Sequence, residues 1–316
     1  MKKFILMAML LCPFIAVAKG KITKKNYRIY SVKLAREVTL DDIADDMENF
    51  DALFFGEEHN DSVTHFLEKS MLEILYRHYG HSITLSMEMF ERDVQPVMNE
   101  YLGGFIREKN FMKDARVWSN YRDYKPMVEF AKDKGLDVIC ANAASRYTSL
   151  AGRKGQEALE ALPEESKAYF APLPYDTATG DYHIKLSEIP KHGPDAKDSA
   201  KAKVADTAKA QPMMNMGDFN LIVAQSLWDA TMAYSISKYI KLHKGKKVFQ
   251  VNGKFHSDEG FGVAGQLKKY SPKTKRLIIS SVSDENFPKI KWSEYKKMGD
   301  YIIITDPKVP RTYKDQ

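Results

Sequence analysis

The chain has 316 residues, of which 44% are apolar and 28% are charged, so it is long enough to bury a large core. This composition is typical of a globular protein and fits one large α/β domain with an insertion, or two small domains. The formal net charge is only +6, and no basic run is interleaved with aromatic residues. We therefore expect no nucleic-acid partner.

The first 18 residues have the pattern of a secretory signal peptide. Lys2 and Lys3 precede an apolar run, Phe4–Leu11, and Ala16–Ala18 offers an A-x-A cleavage site. The apolar run is too short for a transmembrane anchor, and several lysines follow it. This pattern predicts export to the periplasm or to the outer membrane.

Cysteine usage limits both anchoring and metal chemistry. Cys12 would allow a lipid anchor, but Leu11 stands before it, where a small residue is expected, so the unanchored form is favoured. After cleavage Cys140 is the only cysteine, which excludes an intrachain disulfide and a cysteine-based metal centre. Any metal ion must then be bound by His, carboxylate, Tyr or Met side chains.

Short apolar segments alternate with amphipathic ones along most of the chain, which is typical of βαβ units and a parallel sheet. Strands are predicted at Tyr27–Val32, Asp51–Gly56, Ser82–Met89, Leu136–Ala141, Lys246–Val251, Arg276–Val282 and Tyr301–Thr305. Helices are predicted at Asp42–Asn49, Asp61–Tyr79, Arg92–Lys113 with a break at Gly103, Lys125–Lys134, Ala143–Leu162, Asp218–His243 and Asp258–Tyr270. The expected fold is α/β, with a central, mostly parallel sheet and helices on both faces.

One segment departs from this alternation. Residues 163–211 are poor in large apolar side chains and rich in Lys, Ala, Asp and Pro. Such a segment cannot form a core alone, so we interpret it as a small insertion that is helical or partly disordered. The α/β domain would then comprise residues 19–162 and 212–316.

The strongest functional signal follows the second predicted strand. Glu57, Glu58 and His59 come directly after Gly56, at the point where the strand ends. Near the C-terminus, Gly253 and His256 repeat the spacing of Gly56 and His59 after another predicted strand. In an open parallel sheet, ligands bind outside the carboxyl ends of the strands. The two motifs, together with Glu88 at the end of a third strand, therefore predict a polar or metal site at this edge.

These residue types allow two kinds of chemistry. Glu57, Glu58, His59 and His256 could bind a divalent metal ion. In a hydrolase, Glu57 or Glu88 could act as the general base on a bound water. The alternative is structural, because residues that follow a strand often cap the next helix. Glu88 fits that alternative least well, since it lies among apolar residues where an unpaired carboxylate is costly to bury.

Other polar residues could support the site or bind a separate ligand. Gln225 and Asp229 fall on one face of a predicted helix and could orient a histidine, unless that face is solvated. Asn142 follows a strand and could do the same. Arg146 could pair with a carboxylate or a propionate, and Tyr147 is either a core-edge residue or a ligand to ferric iron.

The motifs together resemble one protein family. They are GEEH at Gly56–His59, MEMF with Glu88, the W-x-x-Y-x-x-Y-x-P-M-V-E-F-A run from Trp118 to Ala131, AQSLWDATMA at Ala224–Ala233 and NGKFH at Asn252–His256. This set is similar to the ChaN family, which shares a superfamily with Tiki, TraB and, more distantly, erythromycin esterase-like proteins. The resemblance covers roughly Phe50–Val282, without the insertion. Its paired G-x-x-H motifs map onto Gly56/His59 and Gly253/His256, and its glutamate onto Glu88.

The resemblance implies an exported protein that binds haem for iron uptake, with Tyr-type ligation and dimer formation. Tyr147, Arg146 and Tyr175 are the haem-binding residues that we carry forward, although no motif fixes the ligand. An outer-membrane haem receptor is an implied partner, and a homodimer an implied assembly. Tiki-like members imply the alternative, a metal-dependent protease or esterase that uses the His/Glu cluster. A third alternative is an envelope protein in which this site is only structural.

Overall fold

A computed structural model describes residues 21–188 and 219–313 of the chain. The predicted signal peptide, including Cys12, and most of the second half of the insertion lie outside the described residues. The strands are β1 Tyr27–Ser31, β2 Arg36–Glu37, β3 Ala52–Glu57, β4 Ile83–Glu91, β5 Val138–Asn142, β6 Lys247–Gly253, β7 Arg276–Ser283 and β8 Tyr301–Thr305. The helices are α1 Leu40–Asp46, α2 Ser62–Tyr79, α3 Gln95–Leu102, α4 Glu108–Asp114, α5 Tyr121–Lys134, α6 Ser145–Lys154, α7 Glu164–Lys167, α8 Gly180–Ser187, α9 Leu221–Leu242 and α10 Gly262–Tyr270.

The strands form one sheet in the order β2-β1-β8-β7-β3-β6-β4-β5. The six strands from β8 to β5 are parallel, whereas β1 is antiparallel to β8 and to β2. The predicted α/β fold with a mostly parallel sheet is therefore confirmed. The strand order has one consequence for the site. β3 and β4 are consecutive in the chain, but β6 lies between them in the sheet.

Alternate residues of each central strand pack against different helical layers. In β3, Leu53 and Phe55 belong to the core that contains residues of α1, α2, α3 and α5. Ala52 and Phe54 belong to the core that contains residues of α9 and α10. All four side chains are fully buried. Because both faces of the sheet are covered, its strands are continuous apolar runs rather than alternating ones.

Local sequence chemistry sets where several helices begin and end. Thr39 forms a capping box with Asp42 at the start of α1, and Asp61 caps α2 by accepting from the N–H groups of Val63 and Thr64. Gly135 ends α5 in the left-handed conformation. The helical segment predicted over Arg92–Lys113 with a break at Gly103 is divided there into α3 and α4. The described part of the insertion contains α7 and α8, the latter packed against α9 and Phe261.

The β5 edge of the sheet is covered by a side chain. Gln95 accepts a hydrogen bond from the Cys140 N–H at 2.8 Å and donates one to the Val138 carbonyl at 2.8 Å. These bonds occupy backbone groups with which another strand could pair.

Among the described residues, no helix is both long enough and apolar enough to cross a bilayer.

Candidate functional site

The two G-x-x-H motifs meet because their strands are neighbours. β3 and β6 are parallel, and their register pairs Gly56 with Asn252 and Glu57 with Gly253. Each motif leaves its strand at the same level of the sheet. β4 flanks β6 on its other side and carries Glu88. The sequence predicted this meeting of strand ends.

Each motif glycine makes room for the other motif. A Cβ atom on Gly56 would lie 2.8 Å from the Ser257 Oγ and 3.0 Å from the Lys254 Cα. A Cβ atom on Gly253 would lie 2.7 Å from the His59 Nε2 and 3.7 Å from the Glu88 Oε2. The glycines are therefore required by close approach, and neither has a positive φ.

A buried glutamate holds His59. The His59 Nδ1 lies 2.8 Å from the Glu57 Oε1, and the same oxygen accepts a hydrogen bond from the Tyr124 hydroxyl at 2.8 Å. Burial alone would raise the pKa of Glu57, but the charges and hydrogen bonds of His65 and His59 outweigh burial and hold that pKa below its usual value. Glu57 is thus a carboxylate that orients the imidazole, and the His59 Nε2 faces Gly253 and Glu88.

A second carboxylate holds His256 in the same way. The His256 Nδ1 lies 2.6 Å from the Asp229 Oδ1, and its Nε2 lies 3.2 Å from the Glu88 Oε1. Tyr182, from α8, donates to the other oxygen of Asp229 at 2.7 Å. The Gln225 amide nitrogen lies 3.0 Å from the Nδ1 of the ring. The prediction that Gln225 and Asp229 lie beside a histidine agrees with these contacts.

Glu88 is the residue that both histidines share. Its Oε2 accepts the Gly253 N–H at 2.7 Å. Burial alone would raise the pKa of Glu88, but His256, His59 and the backbone bond outweigh it, so the pKa is lowered. The charges of Glu88 and Asp229 raise the pKa of His256 well above its usual value, against the effect of burial. Without a metal ion, His256 is therefore an imidazolium that compensates buried carboxylates.

The donor set also fits a divalent metal ion. Histidines that bind metals usually donate the second ring nitrogen to a carboxylate, as the Nδ1 atoms of His59 and His256 do here. The two Nε2 atoms and Glu88 supply two imidazoles and one carboxylate, a set suited to first-row transition metals. The proton on the Nε2 of His256 would have to leave. The geometry therefore supports a buried ion pair, and only the residue types favour a metal site.

The other predicted metal ligand lies apart from this group. Glu58 forms ion pairs with Lys254, at 2.7 Å, and with Arg311, at 3.0 Å. Burial would raise the pKa of Glu58, but these two cations lower it. Asn142 accepts a hydrogen bond from its own neighbour, the Ala143 N–H, at 2.9 Å. Neither contact brings these side chains to His59 or His256.

The predicted haem residues lie near α6 and the described part of the insertion. Arg146 pairs with Asp93, and its guanidinium lies over the Tyr147 ring at 4.3 Å. Tyr147 packs against Phe170 with the ring centroids 5.2 Å apart. Tyr175 is 2% exposed, and its hydroxyl donates to the Val223 carbonyl at 3.1 Å. Burial raises the pKa of Tyr175, which makes this side chain a poor source of tyrosinate.

Sequence reasoning missed three residues of the site. His65 and Glu68 lie on the buried face of α2, and Tyr124 lies on α5. The signal in α2 was present: Glu68 shares a face with Thr64, Met71 and Leu75, all fully buried. Tyr182 reaches Asp229 from the described part of the insertion, and this contact depends on tertiary packing.

Comparisons with known proteins agree with the resemblance seen in the sequence. A family model described as haem-binding uptake, Tiki superfamily, ChaN matches residues 43–267. The match includes the insertion and both G-x-x-H motifs. No curated protein matches the sequence.

Among solved structures, the fold is similar to ChaN of Campylobacter jejuni, whose description is cofacial heme binding. The TM-score is 0.62 at 15% identity, and the match covers 90% of this chain and 98% of that one. The type III effector HopBA1 has a TM-score of 0.44 at 9% identity, covering 84% of this chain and 93% of that one. RRSP, a MARTX toxin effector domain from Vibrio vulnificus, has a TM-score of 0.39 at 15% identity, covering 79% and 37%.

Proposed function

The chain belongs to the haem-binding uptake family of the Tiki superfamily, the family of ChaN, and from this premise we propose that it binds haem for iron uptake at the bacterial cell envelope. The family match over residues 43–267 is the observation that carries the proposal. Export would follow from the signal peptide predicted at residues 1–18. N-terminal sequencing of the protein from a periplasmic fraction tests that part.

An open cavity supports a location for the haem. Its volume is about 640 Å³, within the range of small-molecule sites, and it lies between the insertion, α9 and Arg92, which follows β4. Phe170, Ala171, Pro172 and Leu173 give it an apolar wall. Phe170 also contacts Tyr147, so the cavity adjoins one of the tyrosines predicted from the sequence.

The charges around the cavity suit an anionic ligand. Arg92, Lys167 and Lys238 line it together with Tyr234. The guanidinium of Arg92 donates to the Ala168 carbonyl and the Ser235 hydroxyl, and no carboxylate pairs with it among the described residues. Two acidic residues, Glu160 and Glu164, also line the cavity, and Glu164 is paired with Lys167. Arg92 is the cation that we expect to bind a propionate.

Two tyrosines are available as the axial ligand. Tyr234 lines the cavity, and its ring lies 5.3 Å from the Arg92 guanidinium. Tyr147 contacts the cavity-lining residue Phe170 instead. Each tyrosine has an arginine guanidinium beside its ring, since Arg146 lies over Tyr147 at 4.3 Å, so the position at the cavity distinguishes the two. We therefore rank Tyr234 before Tyr147, and both before Tyr175, whose hydroxyl is bound to the backbone.

Haemin titration of the full chain, followed by visible spectroscopy, tests the proposal. We expect a saturable Soret shift, loss of the tyrosinate band in Tyr234→Phe and weaker binding in Arg92→Gln. Tyr175→Phe is the matched control and should bind haemin normally. A chain that gives no saturable shift does not bind haem, and a shift that survives both Tyr234→Phe and Tyr147→Phe places the ligand elsewhere.

Sedimentation with and without haemin tests the homodimer, and a pull-down with outer-membrane extract tests the receptor.

A metal-dependent hydrolase is the second candidate, and the comparisons give it no support. It rests on one observation, the convergence of His59, His256 and Glu88 described above. A divalent ion held there would activate a water for hydrolysis. Glu57 and Asp229 would orient the two imidazoles, which leaves Glu88 as the carboxylate nearest the reacting atoms. Unchanged metal content in His59→Ala would contradict this candidate.

A further inference from the structure

A second group of metal-ligating side chains lies beside His59, away from Glu88 and His256. It comprises Glu57, His65 and Glu68, and one ligand atom from each lies within 4.8 Å of the others. All three side chains are buried, with His65 7% exposed and Glu68 fully buried. Glu57 contacts His59 with Oε1 and turns Oε2 towards His65.

We propose that Glu57, His65 and Glu68 form a binding site for one divalent transition-metal ion, separate from the His59, Glu88 and His256 group. Two carboxylates and one imidazole are a donor set that zinc and its neighbours in the first transition row accept.

The spacing of the donor atoms fits ligands around a single ion. The His65 Nδ1 lies 3.1 Å from the Glu57 Oε2 and 3.3 Å from the Glu68 Oε2. Ligands about 2.0–2.2 Å from a tetrahedral or octahedral ion lie about 3.0–3.5 Å from each other. A small shift of these side chains would therefore bring three donors to bonding distance.

One oxygen of the Glu68 carboxyl group is placed to bind a cation. The Glu68 Oε1 is fully buried and has no hydrogen-bond partner among the described residues. The Glu57 Oε2 contacts the His65 Nδ1, the same nitrogen that the Glu68 Oε2 contacts. A buried carboxylate oxygen without a partner costs free energy, which a bound cation would offset.

The other nitrogen of His65 is placed as in a metal ligand. Its Nε2 lies 3.1 Å from the His59 carbonyl oxygen. A donor bond from Nε2–H to a backbone carbonyl fixes the tautomer that leaves the lone pair on Nδ1. Once the Nδ1 proton leaves, that lone pair faces both carboxylates.

The charges balance with and without the ion. In the metal-free chain, burial and the charge of Glu57 raise the pKa of Glu68 well above its usual value, so Glu68 is neutral. Glu57 is ionised and faces a protonated His65, which gives no net charge. With a divalent ion, two carboxylates and a neutral imidazole again give no net charge. Binding therefore releases one proton from Glu68 and one from the His65 Nδ1.

Zinc content tests the site. The full chain is unfolded, refolded with equimolar Zn²⁺ and passed over a chelating resin, because an ion at this depth should load during folding and leave slowly. Glu68→Gln keeps the size of the side chain, and Glu73→Gln, an exposed position of the same helix α2, is the matched control. We expect Glu68→Gln to retain one zinc ion per chain fewer than Glu73→Gln and to lose the rise in Tm that zinc causes. Equal zinc content in the two variants would overturn the proposal.

A second comparison separates this site from its neighbour. Glu88→Gln should retain the ion that Glu68→Gln loses, and the reverse pattern would overturn the proposal. If Glu68→Gln fails to fold, anomalous scattering from crystals of the unsubstituted chain grown with zinc decides. A peak at bonding distance from both the His65 Nδ1 and Glu68 supports the site, whereas a peak only at Glu88, or no peak, refutes it. Haem binding is scored by haemin titration and does not depend on the outcome.

Discussion

The two motifs at the strand ends share a longer spacing, G-x-x-H-x-D, but the final aspartates have different environments. Asp61 caps α2 and accepts a hydrogen bond from the Thr305 hydroxyl, and it lies 3.6 Å from Arg311. Asp258 is 2% exposed, and its Oδ1 has no hydrogen-bond partner. Burial raises the pKa of Asp258 to about 6, against the effects of Ser280, Lys185 and Lys254. The same spacing thus produces a hydrogen-bonded helix cap in one motif and a buried carboxyl group with a raised pKa in the other.

The carboxylates that hold the two histidines differ in a similar way. Glu57 is two residues from His59 and contacts two imidazoles, which lower its pKa despite burial. Asp229 comes from α9 and contacts one imidazole, and burial raises its pKa. The repeated motif fixes the position of each histidine, but elements distant in the chain fix its charge. Substitutions in one motif can therefore be compared with the matching substitutions in the other.

The largest difference should appear when the histidines are removed. His256→Ala leaves Glu88 and Asp229 buried without a cation, so we expect a loss of about 3–5 kcal/mol in the free energy of unfolding. His59→Ala should cost about 1–2 kcal/mol, because Glu57 keeps His65 and the Tyr124 hydroxyl. Urea unfolding at pH 7 with a chelator present measures both. Equal losses would show that the two motifs are electrostatically alike.

The next effect is the dependence of stability on pH that Asp258 causes. Its pKa is about 6 in the folded chain and about 3.9 in an unfolded one. Because the folded value is the higher one, the contribution of Asp258 to the free energy of unfolding is full below pH 4 and is lost as the pH rises through 6. This lowers the free energy of unfolding by about 2–3 kcal/mol. Asp258→Asn should remove this slope in urea unfolding between pH 4 and 6, while Asp61→Asn, which retains an oxygen that can cap α2, should keep it. Parallel curves for Asp258→Asn and the unsubstituted chain would refute the prediction.

Substitution of the two motif glycines should have effects that differ in their cause as well as in their magnitude. In Gly56→Ala the new methyl group meets the Lys254 Cα and the Ile279 carbonyl, which belong to the backbone, so we expect a loss of about 1–3 kcal/mol. In Gly253→Ala it meets the His59 ring, which can rotate away. That variant should be the more stable of the two but should show a displaced His59 imidazole by NMR. An unmoved imidazole in Gly253→Ala would contradict the close approach.

The smallest effect concerns the ion pairs that join the motifs. Glu58 of the first motif pairs with Lys254 of the second and with Arg311 near the C-terminus. The Glu58 and Arg311 side chains are 24% and 30% exposed, so Arg311→Ala should cost about 0.5–1 kcal/mol, and less at high salt. Lys308→Ala, at an exposed position of the same segment, is the control and should leave thermal unfolding unchanged. A salt-independent loss in Arg311→Ala would indicate a packing effect instead.

The sequence predicted the strands and the meeting of the two motifs because both depend on local patterns. Continuous apolar runs marked β3 and β6, and two identical spacings after them placed His59 and His256 at one edge. Asp229 was predicted as a positioning residue from helical spacing alone. These inferences need only the period of an element and the rule that parallel strands end together.

What the sequence did not predict depends on contacts between distant segments. Glu58 looked equivalent to Glu57, but the strand alternates its side chains, and Arg311 draws Glu58 into a different ion pair. His65 and Glu68 are polar residues on an apolar helix face, and their meaning becomes clear only when Glu57 is seen opposite them. Tyr182 reaches Asp229 from the insertion, which no periodicity reports.

The position of β6 in the sheet has a consequence for the growing polypeptide. β3 and β4 each pair with β6, so residues 247–253 must be made before the centre of the sheet can close. Until then, a nascent chain that has released β3, β4 and β5 carries unpaired edges on β3 and β4, which can aggregate with other chains. The contacts that complete the sheet span almost 200 residues of sequence, and such long-range pairing makes folding slow. The same late strand brings the second histidine, so the site forms in the step that joins β3 to β4.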